Sequence, residues 1–163
     1  MNKFLTVSKC LIASICVWLM GIELAAAGGH RSESRIKGVW SVRADITNCV
    51  DNKPGNVVFA SFDAMNILAA DGTFLDSNAQ SPATQSAHFG YWRHVRGAKY
   101  EFAVKFFLFD SSGANTGWRI VRHDVVLSRS GVSFASGGTA ETFDLEGNLI
   151  ATGCSTSTGI RFD

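Results

Sequence analysis

The sequence predicts an all-β fold: an eight-stranded antiparallel up-and-down β-barrel that follows an export signal. Three observations carry this. From Ile36 onward, apolar residues recur at every second position in short runs, the period of a strand with one packed and one wet face. The runs are separated by turn-forming clusters such as Asp71-Gly72 and Asp110-Ser111-Ser112-Gly113. No long helical pattern follows, and too little chain is left for helices to cover an open sheet. Such a sheet would expose two edges and an apolar face, whereas closure removes both edges. A two-sheet sandwich uses the same alternation and is the alternative.

The first 27 residues read differently. Lys3 and Lys9 give a basic start, Cys10 to Ile22 carries no charge, and Ala25-Ala26-Ala27 is a small-residue cleavage site. That order is a secretory signal. An uncleaved anchor or a buried core helix are the alternatives, but a spanning helix needs about 20 apolar residues. Neither Cys10 nor Cys16 has the small-residue approach of a lipid-modified cysteine. Losing Lys3, Lys9 and Glu23 from 15 basic and 14 acidic side chains leaves the two signs equal. No charge excess remains to gather nucleic acid or anionic lipid. The mature chain is therefore expected in the periplasm or secreted, with no nucleic-acid partner and no stable membrane insertion. Residues 28–35 are small or polar and read as a flexible leader, and residues 36–163 as a single domain.

The strands follow in order. Ile36 to Thr47 alternates, with Ile36, Gly38, Trp40, Val42, Ala44 and Ile46 on one face. Asp51 to Asn56 breaks it. Val57 to Ala70 is apolar and less regular, with a second strand over Phe62 to Ala69; Ala64 to Ala70 also suits a short helix. Asp71-Gly72 turns into a short third strand, Thr73 to Asp76. Ser77 to Ala87 is a polar loop carrying Pro82, and Phe89 to His94 is the fourth strand. Tyr100 to Phe109, Thr116 to Leu127, Val132 to Phe143 and Leu149 to Arg161 are the fifth to eighth. Gly137-Gly138, Gly153 and Gly159 would weaken flat strands, and in a coiled wall they relieve crowding.

Only Cys49 and Cys154 lie beyond the signal. In an exported chain they are expected to pair; two reduced, buried thiols are the alternative. Closure would set the first strand beside the last and bring the two together.

Gly38-Val39-Trp40 at the first strand and Arg161 at the end of the last resemble the calycin superfamily, which includes the lipocalins. Further pieces resemble small exported bacterial proteins of uncharacterised function with lipocalin-like or allene-oxide-cyclase-like barrels. These are Ala70-Asp71-Gly72-Thr73, Ser81-Pro82, Gly90-Tyr91-Trp92, Phe106-Phe107-Leu108-Phe109-Asp110, Phe143-Asp144 with Gly147-Asn148, and Gly159-Ile160-Arg161. The resemblance covers about residues 36–163. It implies that Trp40, in a GxW motif with Gly38, closes one end of the core, and that Arg161 packs across it. An arginine can lay its stem on an indole and keep its guanidinium hydrogen-bonded.

The chemistry offered by the residues is modest. Tyr91, Tyr100, Phe102, Phe106 and Trp118 are candidates to line an apolar pocket with polar handles; the same aromatics would also fill a narrow core. The sixth strand has two faces, Trp118, Ile120, Arg122, Asp124 and Val126 against Arg119, Val121, His123, Val125 and Leu127. If the Trp118 face points inward, Arg122 and Asp124 enter the core and pair with each other or with a polar ligand group. His88 or His94 is a candidate acid or base. No metal-ligand spacing, phosphate-binding glycine loop, nucleophile elbow or C-x-x-C pair occurs, so no metal and no cofactor is expected. The leading expectation is an exported binding module for a small, largely apolar molecule. The others are a cyclase or isomerase resembling the allene-oxide-cyclase branch, acting by confinement and electrostatic orientation, and a cavity-free extracellular interaction or structural protein.

Overall fold

A computed structural model describes residues 35–162. The expected signal segment, residues 1–27, and residues 28–34 of the leader lie outside the described residues. Arg35, the last leader residue, is held in place. Its guanidinium donates to the carbonyls of Ser128 and Arg129, and Ile36 beside it is fully buried.

Eight strands follow: β1 (Gly38–Val50), β2 (Lys53–Leu68), β3 (Thr73–Asn78), β4 (His88–Arg96), β5 (Lys99–Phe109), β6 (Asn115–Leu127), β7 (Ser133–Phe143) and β8 (Leu149–Arg161). Each pairs antiparallel with the next, and β8 returns to β1. At that seam Trp40 lies opposite Arg161 and Thr47 opposite Cys154. The sheet is a closed ring with no helix among the described residues. The stretch from Ala64 that also suited a helix continues β2 to Leu68.

The first hairpin turns more tightly than the Asp51 to Asn56 break implied. Asp51 and Asn52 both take positive φ, 51° and 58°, the pair of left-handed residues that a two-residue hairpin of the I′ type needs. Pro54 and Gly55 are therefore inside β2. Register shifts at Ile46/Thr47 and Thr47/Cys49 bend this hairpin away from the ring. Its tip crosses the outer side of β7, where the Pro54 ring stands 3.4 Å from the Cβ position of Gly137. The Cys49–Cys154 disulfide fastens it there, joining Cα atoms 5.3 Å apart. Covered in this way, Cys154 is 1% exposed although it sits on the outer face of β8.

One end of the ring is packed shut. Trp40 is fully buried, donates from Nε1 to the Ile36 carbonyl at 2.9 Å, and meets Phe134 edge-on with centroids 5.1 Å apart. The Arg161 guanidinium carbon lies 4.6 Å from the Trp40 ring centroid. Its nitrogens donate to the carbonyls of Gly131, Lys37 and Arg35. Two glycines make this packing feasible. Gly38 has φ +138° and a Cβ there would lie 2.5 Å from Arg161; a Cβ on Gly159 would strike the Phe134 ring at 2.2 Å. Leu68, Tyr100 and Leu127 complete the plug.

The Ser77 to Ala87 segment is ordered against its neighbours. Ala79 donates to the Asp63 carbonyl, while Ser86 and Phe109 bond across to Phe107 and Thr84. The loop thus runs along the far end of β5, at the opposite end of the ring from Trp40.

Candidate functional site

Above the Trp40 plug the interior is hollow. A cavity of about 330 Å³ runs up the ring between the inner faces of all eight strands. That volume is at the small end of ligand pockets, which span roughly 300–1,000 Å³. Gln80, Ala151 and Thr152 border it and are exposed, so the cavity reaches solvent at the end opposite Trp40. Its wall is mostly apolar, with Val42, Phe62, Phe74, Phe102, Val104 and Val121 as the main contributors. Phe74 and Phe102 stack with centroids 4.5 Å apart.

A row of polar side chains interrupts this wall. The register sets Asn66 beside Asp76 and Asp76 beside His88. It places Phe106 beside Arg119 and Arg119 beside Thr142. His88 stacks on Phe106 at 3.8 Å, so Phe106 separates two polar groups. On one side, His88 Nδ1 lies 2.5 Å from Asp76 Oδ2, with both side chains largely buried. With its amide nitrogen turned toward the acceptors, Asn66 donates to Asp76 Oδ1 at 2.7 Å. A neutral His88 bonded in this way carries its hydrogen on Nδ1 and its lone pair on Nε2. Nε2 makes no hydrogen bond among the described residues, and His88 borders the cavity. On the other side, Arg119 Nε donates to Thr142 Oγ1 at 2.9 Å, and burial lowers the Arg119 pKa.

A second polar cluster lies closer to the plug. His123 bonds through Nδ1 to Ser136 Oγ at 2.9 Å and through Nε2 to Ser155 Oγ at 2.8 Å. Ser136 and Ser157 bond to each other at 2.6 Å. Burial pulls the His123 pKa from 6.5 down to about 4, so the ring is neutral near pH 7. With both nitrogens occupied, His123 is a wall residue.

The candidate residues divide. Phe102 and Phe106 face the cavity. Tyr100 faces inward but belongs to the plug, 1% exposed and tilted against Trp92. Tyr91 points outward and is 54% exposed. Trp118, Arg122 and Asp124 are also corrected to the outer face. Trp118 stacks on Phe143 with Lys105 Nζ 4.4 Å from its ring centroid, Arg122 pairs with Glu141 at 2.5 Å, and Asp124 is exposed. The face that turns inward is Arg119, Val121, His123, Val125 and Leu127. It buries three aliphatic side chains, whereas the opposite phase would have enclosed both Arg122 and Asp124. Arg122, Asp124 and Gly138 instead border a cleft under the Asn52–Pro54 hairpin tip. His94 is bonded through Nε2 to the Gly97 carbonyl at 2.9 Å, away from the cavity.

Asp76, Asn66 and Arg119 are the site residues that the strand reading did not single out. Extending the alternation from Phe74 puts Asp76 inward, and the phase of β6 that brings in Val121 brings in Arg119. Among the described residues there is no group of three metal-ligating side chains and no helix long and apolar enough to cross a membrane. Comparison with protein-family models, with curated proteins and with solved structures returns no match to the chain.

Proposed function

We propose that the protein is a secreted or periplasmic binding protein that holds a small, largely apolar molecule inside a lipocalin-like, calycin-type β-barrel. The observation that carries this is the hollow above Trp40: about 330 Å³, open at one end, walled mainly by aliphatic and aromatic side chains. An apolar guest that leaves water for such a space gains roughly 25 cal/mol per Å² of buried surface, and the few polar groups on the wall fix its orientation. The GxW tryptophan, the arginine lying on it and the ring closure support the calycin-type reading. The basic-apolar-small order of residues 1–27 and the Cys49–Cys154 disulfide support export. The test is native mass spectrometry of the exported protein, followed by denaturing extraction. A stoichiometric small molecule is expected. A chain recovered empty that also ignores a panel of apolar probes would contradict the proposal.

A second reading, a cyclase or isomerase, is favoured by one feature. Asp76 orients His88 so that Nε2 is free on the cavity wall, the arrangement of a positioned base. Its test is exchange of carbon-bound hydrogen of a bound carbonyl compound with D₂O. Exchange that disappears in His88→Gln supports catalysis, and no exchange in the unaltered protein refutes it.

A further inference from the structure

We propose that Arg119 is an anion receptor inside the cavity, and that the ligand is a small monoanion with an apolar, ring-sized body. This rests on the cavity-binding reading and narrows it to a chemical class.

The arginines on the two faces of the sheet are treated differently. On the outside, Arg43, Arg93 and Arg122 each pair with a carboxylate on an adjacent strand, Asp63, Glu101 and Glu141. Arg119 points inward and has no carboxylate within 4.0 Å among the described residues. Its one hydrogen bond there runs from Nε to Thr142, so among the described residues neither terminal nitrogen has a hydrogen-bond partner. Asp76 is the acid bordering the same cavity, and its two oxygens are taken by His88 and Asn66. A guanidinium drawn partly out of water beside an apolar wall is costly unless an anion meets it. The Thr142 bond occupies Nε and leaves the terminal pair of nitrogens, whose N–H donors lie side by side, for a ligand in the cavity that Arg119 borders. That geometry suits bidentate capture of a carboxylate- or sulfonate-like group.

The rest of the cavity describes the rest of the ligand. The stacked Phe74 and Phe102 offer a flat apolar surface beside Val42 and Val121. A volume of about 330 Å³ suits a body of up to three aromatic rings and is too small for a long-chain lipid. Among the described residues Arg119 is the one arginine or lysine that borders this space, so a single negative charge is matched by a guanidinium and a second has no such partner.

Two dyes with nearly the same ring body test this. Anilinonaphthalene sulfonate carries one anion, and N-phenylnaphthylamine carries none. Fluorescence titration of the oxidised, folded protein is expected to give at least tenfold tighter binding of the sulfonate. Arg119→Gln is expected to shrink that ratio at least fivefold, and Arg119→Lys, which keeps the charge and loses the fork, to fall between. A ratio that Arg119→Gln leaves unchanged overturns the assignment. If Arg119→Gln does not fold, displacement of N-phenylnaphthylamine from the unaltered protein by naphthoate and by naphthalenemethanol decides instead. Equal displacement overturns the assignment, and stronger displacement by naphthoate supports it. Neither dye binding the unaltered protein would overturn the cavity-binding reading itself, whereas the neutral dye bound without preference for the anion removes Arg119 alone.

Discussion

His123 makes stability depend on pH in a way that can be worked out from its surroundings. Its ring is buried between Phe102 and the hydroxyls of Ser136 and Ser155, and burial holds its pKa at about 4 against 6.5 in an exposed histidine. As acid is added, the unfolded chain takes up this proton first. Between pH 6.5 and about 4 the unfolded state therefore binds more protons, and stability rises with pH at about 1.4 kcal/mol per unit. The contribution is fully present above pH 6.5, declines as pH falls, and is exhausted below about 4. Integrated over that window it amounts to about 3 kcal/mol. Urea unfolding followed by tryptophan fluorescence at neutral pH and near pH 4, on the unaltered protein and on His123→Gln, isolates it from the carboxylates. The advantage of the unaltered protein over the variant should shrink by about 3 kcal/mol between the two conditions. Parallel stability profiles, or an NMR titration that places His123 near 6.5, would refute the reasoning.

Three other perturbations test separate parts of the account. Replacing Cys49 and Cys154 by serine opens a loop of 105 residues and should cost about 4–5 kcal/mol by the chain-entropy relation, measured by urea unfolding; a loss under about 1 kcal/mol would show that the hairpin tip is held without the bond. Arg161→Met leaves the carbonyls of Gly131, Lys37 and Arg35 without their donor, and a loss of about 3 kcal/mol is expected, with altered near-UV dichroism from Trp40. Ala140→Trp places an indole in the cavity; binding of the neutral dye should fall at least tenfold while the far-UV spectrum is retained, and undiminished binding would place the dye elsewhere.

The legible and illegible parts of the sequence have physical reasons. Asp71-Gly72 and Asp144 to Asn148 read as turns because local chemistry decides them: Gly72 and Gly147 take positive φ, and Asp144 accepts from Asn148. The early part of β2 was illegible because Val57, Val58 and Phe59 lie on a hairpin bent off the ring and are all exposed, so burial imposes no alternation. The two faces of β6 carry similar apolar content, and only ring closure selects between them. That ambiguity is why Trp118, Arg122 and Asp124 read as ligand candidates in the sequence and Arg119 does not. The Asp76–His88 pair depends on the register between β3 and β4, which a polar loop conceals. The cysteine pair is easier to read, because Cys49 and Cys154 are the two cysteines outside the expected signal segment, and two permit one intramolecular bond.

A guest inside the ring can be observed directly. The most direct measurement is an NMR titration of isotopically labelled protein with N-phenylnaphthylamine. Saturable shifts at Phe102, Val104, Val121 and Ala140, which border the cavity, are the predicted result. Shifts confined to Phe89, Tyr91 and Phe107 on the outer face, with the inner strands silent, would contradict it.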